Sequence, residues 1–316
     1  MNKRILFVVH RYVPYPGGSE YYVRDMAEEC KKRGHDVCVL AHEHMGEQNG
    51  IRVSNDYSKI LNERWNLIVV HGGDVISQNI IHTNAFQINR VSPVAYMLIK
   101  PSDSVVCLNG LKHHRFITYS TSADIEHIKK HEVLNKARKI RHGIVPESTI
   151  KNKITKDKKI FVSAGGFYPH KAMKPLAEAF SKTNIDAELH LYGYGEGQIP
   201  QETERIKVFF GKSKDEVLSA IASADAYIMN SYEEGFGLVL LEAMFNKTPW
   251  FARNIAGAKD MAQYGNIYTD ESELMGLLKF YKPLDKAIED AYNYAMSNHT
   301  ITDTVVDIEN ILLELS

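Results

Sequence analysis

The sequence predicts an α/β fold of two Rossmann-like domains, and three observations support that. Short apolar, β-rich runs alternate with helix-length segments along the chain, the pattern of parallel sheets covered by helices. The length of 316 residues exceeds what one core comfortably holds and divides naturally into halves of about 150. Between the halves, Val145–Lys159 carries Pro146, Ser148, Thr149 and many lysines but little apolar pattern, which reads as a linker. The expected domains are therefore residues 1–150 and 151–298, with a C-terminal stretch beyond them.

The first apolar run, Ile5–Val9, is closed by His10-Arg11. It is too short for the core of a signal peptide and reads as a buried first strand. Ser19–Arg33 has helical periodicity, and Gly34 stands just past its end, where a residue tolerant of positive φ is favoured. Asp36–Leu40, Leu67–Val70, Ser104–Cys107, Phe116–Tyr119 and Lys139–Arg141 are the further strands of this half. The second half has strands at Lys159–Ser163, Glu188–Tyr192, Lys207–Phe210, Ala226–Asn230 and Pro249–Ala252. Asp285–Ser316 shows two helical patterns separated by Ser297-Asn298-His299-Thr300. Ligands of such sheets collect at the carboxyl ends of the strands, here in a cleft between the two domains.

Hydrophobic residues at 44%, charged residues at 24% and a net charge of −1 describe an ordinary globular chain without global attraction to polyanions. Cys30, Cys38 and Cys107 lack metal-ligand spacing and suggest reduced thiols in a cytoplasmic compartment. No window reaches the roughly 20 apolar residues of a transmembrane segment, so any membrane contact is expected to be peripheral. Charge is uneven, however. Residues 112–159 hold 13 Lys/Arg against 5 Asp/Glu, together with His113, His114, His127, His131 and His142. Two readings stand: solvated helix faces with a basic linker, or a surface for a polyanion such as an anionic membrane or DNA. Aromatics there are few (Phe116, Tyr119), which argues against a single-strand stacking platform.

Residues 233–244 are the most informative. A strand leads into Glu233-Glu234, two glycines flank Phe236, and an apolar helix opens near Leu238. Gly235 and Gly237 let the backbone approach a ligand closely, and the helix start offers unpaired N–H groups to an anion. Glu234 before the loop and Glu242 just over a turn into the helix can reach different parts of one molecule. That layout suits a nucleotide sugar; the plain alternative is a strand-to-helix turn followed by a solvated glutamate.

The segment resembles the E-x7-E signature of retaining glycosyltransferases of the GT-B fold, glycosyltransferase family 4, with Glu234 and Glu242 at its acidic positions. Ala243 to Pro249 follows the usual "EAMA-x-G-x-P" run, with Asn246 and Lys247 in places often small or Gly. The resemblance extends, with gaps, over almost the whole chain. It implies Glu242 on ribose, Glu234 on the sugar, and Gly235, Phe236, Gly237 and Leu238 near the diphosphate. It also implies that the last helix, about 299–316, returns to the first domain.

Lys171, in Gly165-Gly166-Phe167-Tyr168-Pro169-His170-Lys171, follows a strand and precedes an amphipathic helix. A lysine there can neutralise a departing diphosphate; otherwise it is a surface lysine. The segment resembles the family's "G-R-L-x-x-x-K-G" loop, but Gly166 stands at the arginine and Ala172 at the last glycine. Lys174 or Arg115 are candidate replacement cations. Pro16-Gly17-Gly18-Ser19-Glu20 is not a dinucleotide fingerprint. It is either a plain turn or a place where backbone amides meet a phosphate or sugar, and it resembles the family's "P-G-G-x-E" loop.

His71 ends a strand and points toward the expected cleft. It is either a structural histidine or, as the resemblance implies, a residue positioning the sugar. His10, His113 and Arg115 are acceptor-side candidates. Phe210-Gly211-Lys212 resembles the loop whose backbone frames the base, while Gly193–Gly197 has a mainly structural role. No Asp-x-Asp occurs, so no metal site and no cofactor is expected. The expected partners are a UDP- or GDP-sugar as donor and a saccharide or lipid-linked acceptor. The expected activity is retaining, metal-independent glycosyl transfer. The alternatives are transfer to a polyanion such as hydroxymethylated DNA, a non-catalytic sugar-nucleotide-binding module, or an epimerase on the same fold.

Overall fold

The computed structural model describes residues 2–15, 17–42, 45–71, 90–93, 116–129, 134–147 and 158–315. They form two compact units: Met1–Val145 with His299–Ser316, and Pro146–Asn298.

The first unit runs β1 (Arg4–Val9), α1 (Gly18–Lys32), β2 (Asp36–Ala41), β3 (Gly46–Gln48), β4 (Ile51–Ser54), α2 (Tyr57–Asn62), β5 (Leu67–Val70), β6 (Arg90–Pro93), β7 (Phe116–Tyr119), α3 (Ser122–Lys129) and β8 (Ala137–Lys139). Its sheet has the order β3-β4-β2-β1-β5-β6-β7-β8, parallel except where β3 turns back on β4. Ile5 to Val9 and all of β5 are buried. Burial on both faces explains why these strands are continuous apolar runs rather than alternating ones.

The second unit runs β9 (Lys159–Gly166), α4 (Met173–Ser181), β10 (Ala187–Tyr194), β11 (Ile206–Phe210), α5 (Lys214–Ser223), β12 (Ala226–Met229), α6 (Leu238–Phe245), β13 (Trp250–Arg253), α7 (Ala256–Asp260), β14 (Asn266–Tyr268), α8 (Glu271–Phe280) and α9 (Asp285–Asn298). Its parallel sheet has the order β11-β10-β9-β12-β13-β14. Phe161, Leu189, Leu191, Ile228 and Phe251 on the strands and Leu176, Phe180, Leu274 and Leu278 on α4 and α8 make one core.

The final helix, α10 (Ile301–Glu314), belongs to the first unit. Thr300 caps it in a reciprocal bond pair with Asp303. Its apolar stripe (Ile301, Val305, Ile308, Leu312) is buried, and its acids take the basic residues of that unit. Arg141 donates to Asp303 (2.9 Å) and Asp307 (2.7 Å), and Arg33 donates to Glu309 (2.6 Å).

The expected strand Lys139–Arg141 lies earlier, at Ala137–Lys139, because Arg141 has left the sheet to bind α10. Ser104–Cys107 lies outside the described residues. β3, β4, β6 and β14, each of three or four residues, were not anticipated; runs this short leave no periodicity to detect.

Ile144 pairs with the return of the chain: its N–H donates to the His299 carbonyl (3.0 Å), and the Ile301 N–H donates to the Ile144 carbonyl (2.9 Å). Beside it, any Cβ at Gly143 would overlap the Thr300 carbonyl oxygen. Gly143→Ala is therefore expected to lower the stability of the first unit by about 1–3 kcal/mol, read as a reduced urea midpoint. An unchanged midpoint would mean that this crossing does not hold α10.

Candidate active site

In the second unit β9 lies between β10 and β12, so the strand order reverses beside it. Open α/β sheets take ligands outside the carboxyl ends of strands at such reversals. The segments leaving β9 and β12 there carry Lys171 and the run Glu234–Leu238.

Alternating residues of the β12–α6 segment grip consecutive residues of the β9–α4 segment. Tyr232 N–H donates to the His170 carbonyl (2.7 Å), and Asn230 Nδ2 donates to the Ala172 carbonyl (2.9 Å). Lys171 Nζ donates to the Glu234 carboxylate, which also accepts the Ser231 hydroxyl (2.9 Å). The lysine and first acid identified in the sequence are thus brought together as a largely buried ion pair.

Gly235 and Phe236 are buried behind Glu234. Gly237 caps α6 with φ 88°, ψ 56°, and a Cβ there would lie 3.2 Å from the Met229 sulfur. Both the left-handed backbone and the crowding call for glycine. No side chain caps α6, which leaves first-turn amides available to an anion. Leu238 opens the helix and Glu242 stands a turn on, both half-buried. Tyr227 lies beneath: burial pushes its phenol pKa up, and Glu242 and Glu234 push it further. It therefore stays neutral and donates to the Ala164 carbonyl (3.0 Å). Gly257 in α7 backs the loop, since a Cβ there would overlap the Phe236 carbonyl. That support was not read from the sequence, where an isolated glycine carries no such signal.

Gly166 ends β9, and the ring of Tyr168 fills the space a side chain at 166 would need. Tyr168 stacks on His170 (5.9 Å, 8°) and meets Tyr194 edge-on (6.1 Å). Aromatic groups, not a cation, therefore occupy the place of the expected arginine. Lys174 is exposed on α4, and Arg115 lies outside the described residues. Phe210 ends the edge strand β11, and Gly211 and Lys212 follow it. Phe210 is 56% exposed and stacks on Phe167 (6.1 Å). The Lys212 ammonium is engaged with Glu216 (2.9 Å), whose carboxyl falls to about 2 mainly through that contact. Gly193 and Gly197 press on the ring and carbonyl of Phe167, which is a packing role.

In the first unit, Gly17 caps α1 and Gly18 begins it. The Glu20 carboxyl folds back over Gly17. Burial raises its pKa, while Arg11 opposes that rise. His71 follows β5, and its N–H donates to the Val8 carbonyl (2.8 Å). It is buried rather than open to solvent, packing against Tyr22 (5.3 Å), which stacks on His142 (4.9 Å). The His142 carbonyl bonds His299 Nδ1 (2.7 Å). Burial lowers His71 to about 4. Burial, with repulsion from His71 and His299, lowers His142 to about 3. His71 is therefore a neutral imidazole at neutral pH, able to orient a group but poorly matched to general acid–base work there. His10 is half-buried and stacks on His42 (5.7 Å). His113 lies outside the described residues, as do 112–115, 130–133 and 148–157 of the basic segment 112–159.

Among the described residues, no group of three or more His, Cys, Asp or Glu is arranged to hold a metal, and no helix is long and apolar enough to cross a membrane.

Residues 145–298 match the family described as Glycosyl transferases group 1. An N-acetyl-alpha-D-glucosaminyl L-malate synthase of Bacillus anthracis is 32% identical over 122 residues, 36% of this chain and 32% of that protein. The match thus spans only about a third of that relative's length. An uncharacterized glycosyltransferase of Methanocaldococcus jannaschii is 24% identical over 281 residues, 78% of each chain. Anabaena Alr3699/HepE, solved in complex with UDP and glucose, superposes with a TM-score of 0.83 at 16% identity, covering 99% of this chain and 100% of that one. At that identity the likeness shows the fold: α/β, GT-B, with parallel-sheet Rossmann-like units.

The depressed histidines predict a pH dependence. Between the ordinary value of 6.5 and about 4, His71 binds a proton in the unfolded chain but not in the folded one, so stability falls as pH falls through that window. The loss is on the order of 3 kcal/mol for this residue alone. Denaturation curves at pH 7.5 and 4.5 should show the loss, and His71→Gln should reduce it, with the share of His142 remaining. A variant with the wild-type slope would contradict the assignment.

Proposed function

We propose that this chain, whose residues 145–298 match the family described as Glycosyl transferases group 1, moves a sugar from a nucleotide-sugar donor to an acceptor hydroxyl, with the donor held by the second unit. One observation carries the reading: Lys171 and Glu234 meet at the carboxyl ends of β9 and β12, beside the uncapped start of the helix that bears Glu242.

In this reading Lys171 and the amides after Gly237 face the diphosphate, Glu242 takes the ribose hydroxyls, and Glu234 takes the sugar. As the bond from the anomeric carbon to the phosphate oxygen breaks, negative charge builds on the leaving diphosphate, and the ammonium and helix start stabilise it. The acceptor oxygen attacks on the same face, and its proton passes to the leaving phosphate oxygen, so configuration is retained. In the first unit His71 stays a neutral, buried imidazole. The protein's own cation serves the leaving group, so the reaction is metal-independent. The donor is a UDP- or GDP-sugar, and the acceptor a saccharide or lipid-linked hydroxyl.

A thermal-shift panel of UDP-, GDP-, ADP- and dTDP-sugars tests this. A matching donor at about 100 times its Kd stabilises the native state by about 2.7 kcal/mol, a shift of several degrees. Glu242→Ala should remove that shift without unfolding the protein; unchanged donor affinity would refute its ribose role. Turnover should persist in EDTA, whereas strict dependence on Mg²⁺ would contradict charge neutralisation by Lys171.

A further inference from the structure

We propose that Asn230 is a positioning residue that sets the Lys171 ammonium for the donor diphosphate, an inference that rests on the nucleotide-sugar reading above. Asn230 follows the last residue of β12 and is 1% exposed. Every polar capacity of its amide is used. Nδ2 donates to the Ala172 carbonyl (2.9 Å) and to Glu271 Oε1 (3.0 Å). Oδ1 accepts the Tyr268 hydroxyl (2.8 Å) and Arg253 Nη2 (3.4 Å). Arg253 and Glu271 pair with each other, and the Arg253 guanidinium lies over the Tyr232 ring (4.8 Å). A buried amide held from four sides has one available orientation, and that orientation aims a donor at the residue next to Lys171.

The target of that donor is unusual. Ala172 has φ 50°, ψ 32°, a left-handed conformation that a residue with a Cβ adopts at a cost. The turn Pro169–Lys171 ends in this strained residue, and α4 begins after it. The bond from Asn230 holds the Ala172 carbonyl, while the bond from Tyr232 N–H holds the His170 carbonyl. Lys171 is thus pinned on both sides by the segment that presents Glu234. With Gly166 offering no side chain and Tyr168 filling that space, Lys171 is, among the described residues of this loop, the cation placed for the diphosphate, and its placement cannot drift without consequence.

Titration calorimetry with UDP and GDP, and with UMP and GMP as monophosphate controls, tests this on the full chain. Asn230→Ala should weaken the tighter-binding diphosphate about tenfold and change its monophosphate less than twofold. Lys171→Met should do the same, and the double variant should lose no more than Lys171→Met alone, since both changes remove one function. Tyr268→Phe keeps the ring and removes only the hydroxyl that orients Asn230. It should shift diphosphate affinity in the same direction by a smaller factor, and it secures the test if Asn230→Ala does not fold. Additive losses, or unchanged diphosphate affinity in folded Asn230→Ala or Tyr268→Phe, would overturn the positioning role and leave the donor site standing. A wild-type protein that binds neither diphosphate overturns the proposed function and this inference with it.

Discussion

The second unit's candidate site depends on one constraint: two segments that leave neighbouring strands are bonded residue to residue. β9 and β12 are adjacent, so the chain after each emerges at the same edge. Bonds from Asn230, Tyr232 and Glu234 to Ala172, His170 and Lys171 then convert adjacency into a fixed spacing. Without them Lys171 would be a long, flexible cation at a helix start, and ordering it would cost side-chain entropy at the moment of binding. With them, that entropy is lost on folding instead. A group oriented before the ligand arrives is the condition under which electrostatic stabilisation of a leaving group is effective.

The same constraint shapes the backbone. Ala172 and Lys247 stand where the family resemblance leads one to expect glycine, and both have positive φ (50° and 52°). The left-handed turn is therefore required by the architecture rather than by the residue, and this chain meets it with local support. Ala172 is held by the Asn230 amide. Lys247, just past α6, pairs with Glu289 (2.6 Å) and lies over Tyr292 (4.5 Å), both on α9. Gly237 differs: its φ of 88° coincides with the Met229 side chain at 3.2 Å, so conformation and space both argue for glycine.

Much of this could be read from the sequence, and the reasons are physical. Strands buried on both faces appear as apolar runs, which is why β1, β5, β7 and β12 were found within one residue of their ends. The acids around Gly-Phe-Gly marked this loop as a candidate ligand site because backbone conformation and charge are local properties. What stayed hidden is non-local. Asn230 looked like the last residue of a strand, and nothing nearby in sequence reveals that Tyr268, Arg253 and Glu271 converge on it. Gly166 could be seen to lack the expected arginine, but only the fold shows Tyr168 in its place. For His71 the sequence left a structural and a sugar-positioning role open, and only the fold shows it packed against Tyr22, which is itself stacked on His142.

The proposed site requires a nucleotide diphosphate at the carboxyl ends of β9 and β12, against Lys171. A crystal structure of the protein soaked with UDP tests it most directly. The predicted result is phosphate density within hydrogen-bonding distance of Lys171 Nζ and the first-turn amides of α6, with the ribose against Glu242. UDP bound elsewhere, or an undisturbed Lys171–Glu234 pair with no phosphate beside it at saturating UDP, would contradict the account.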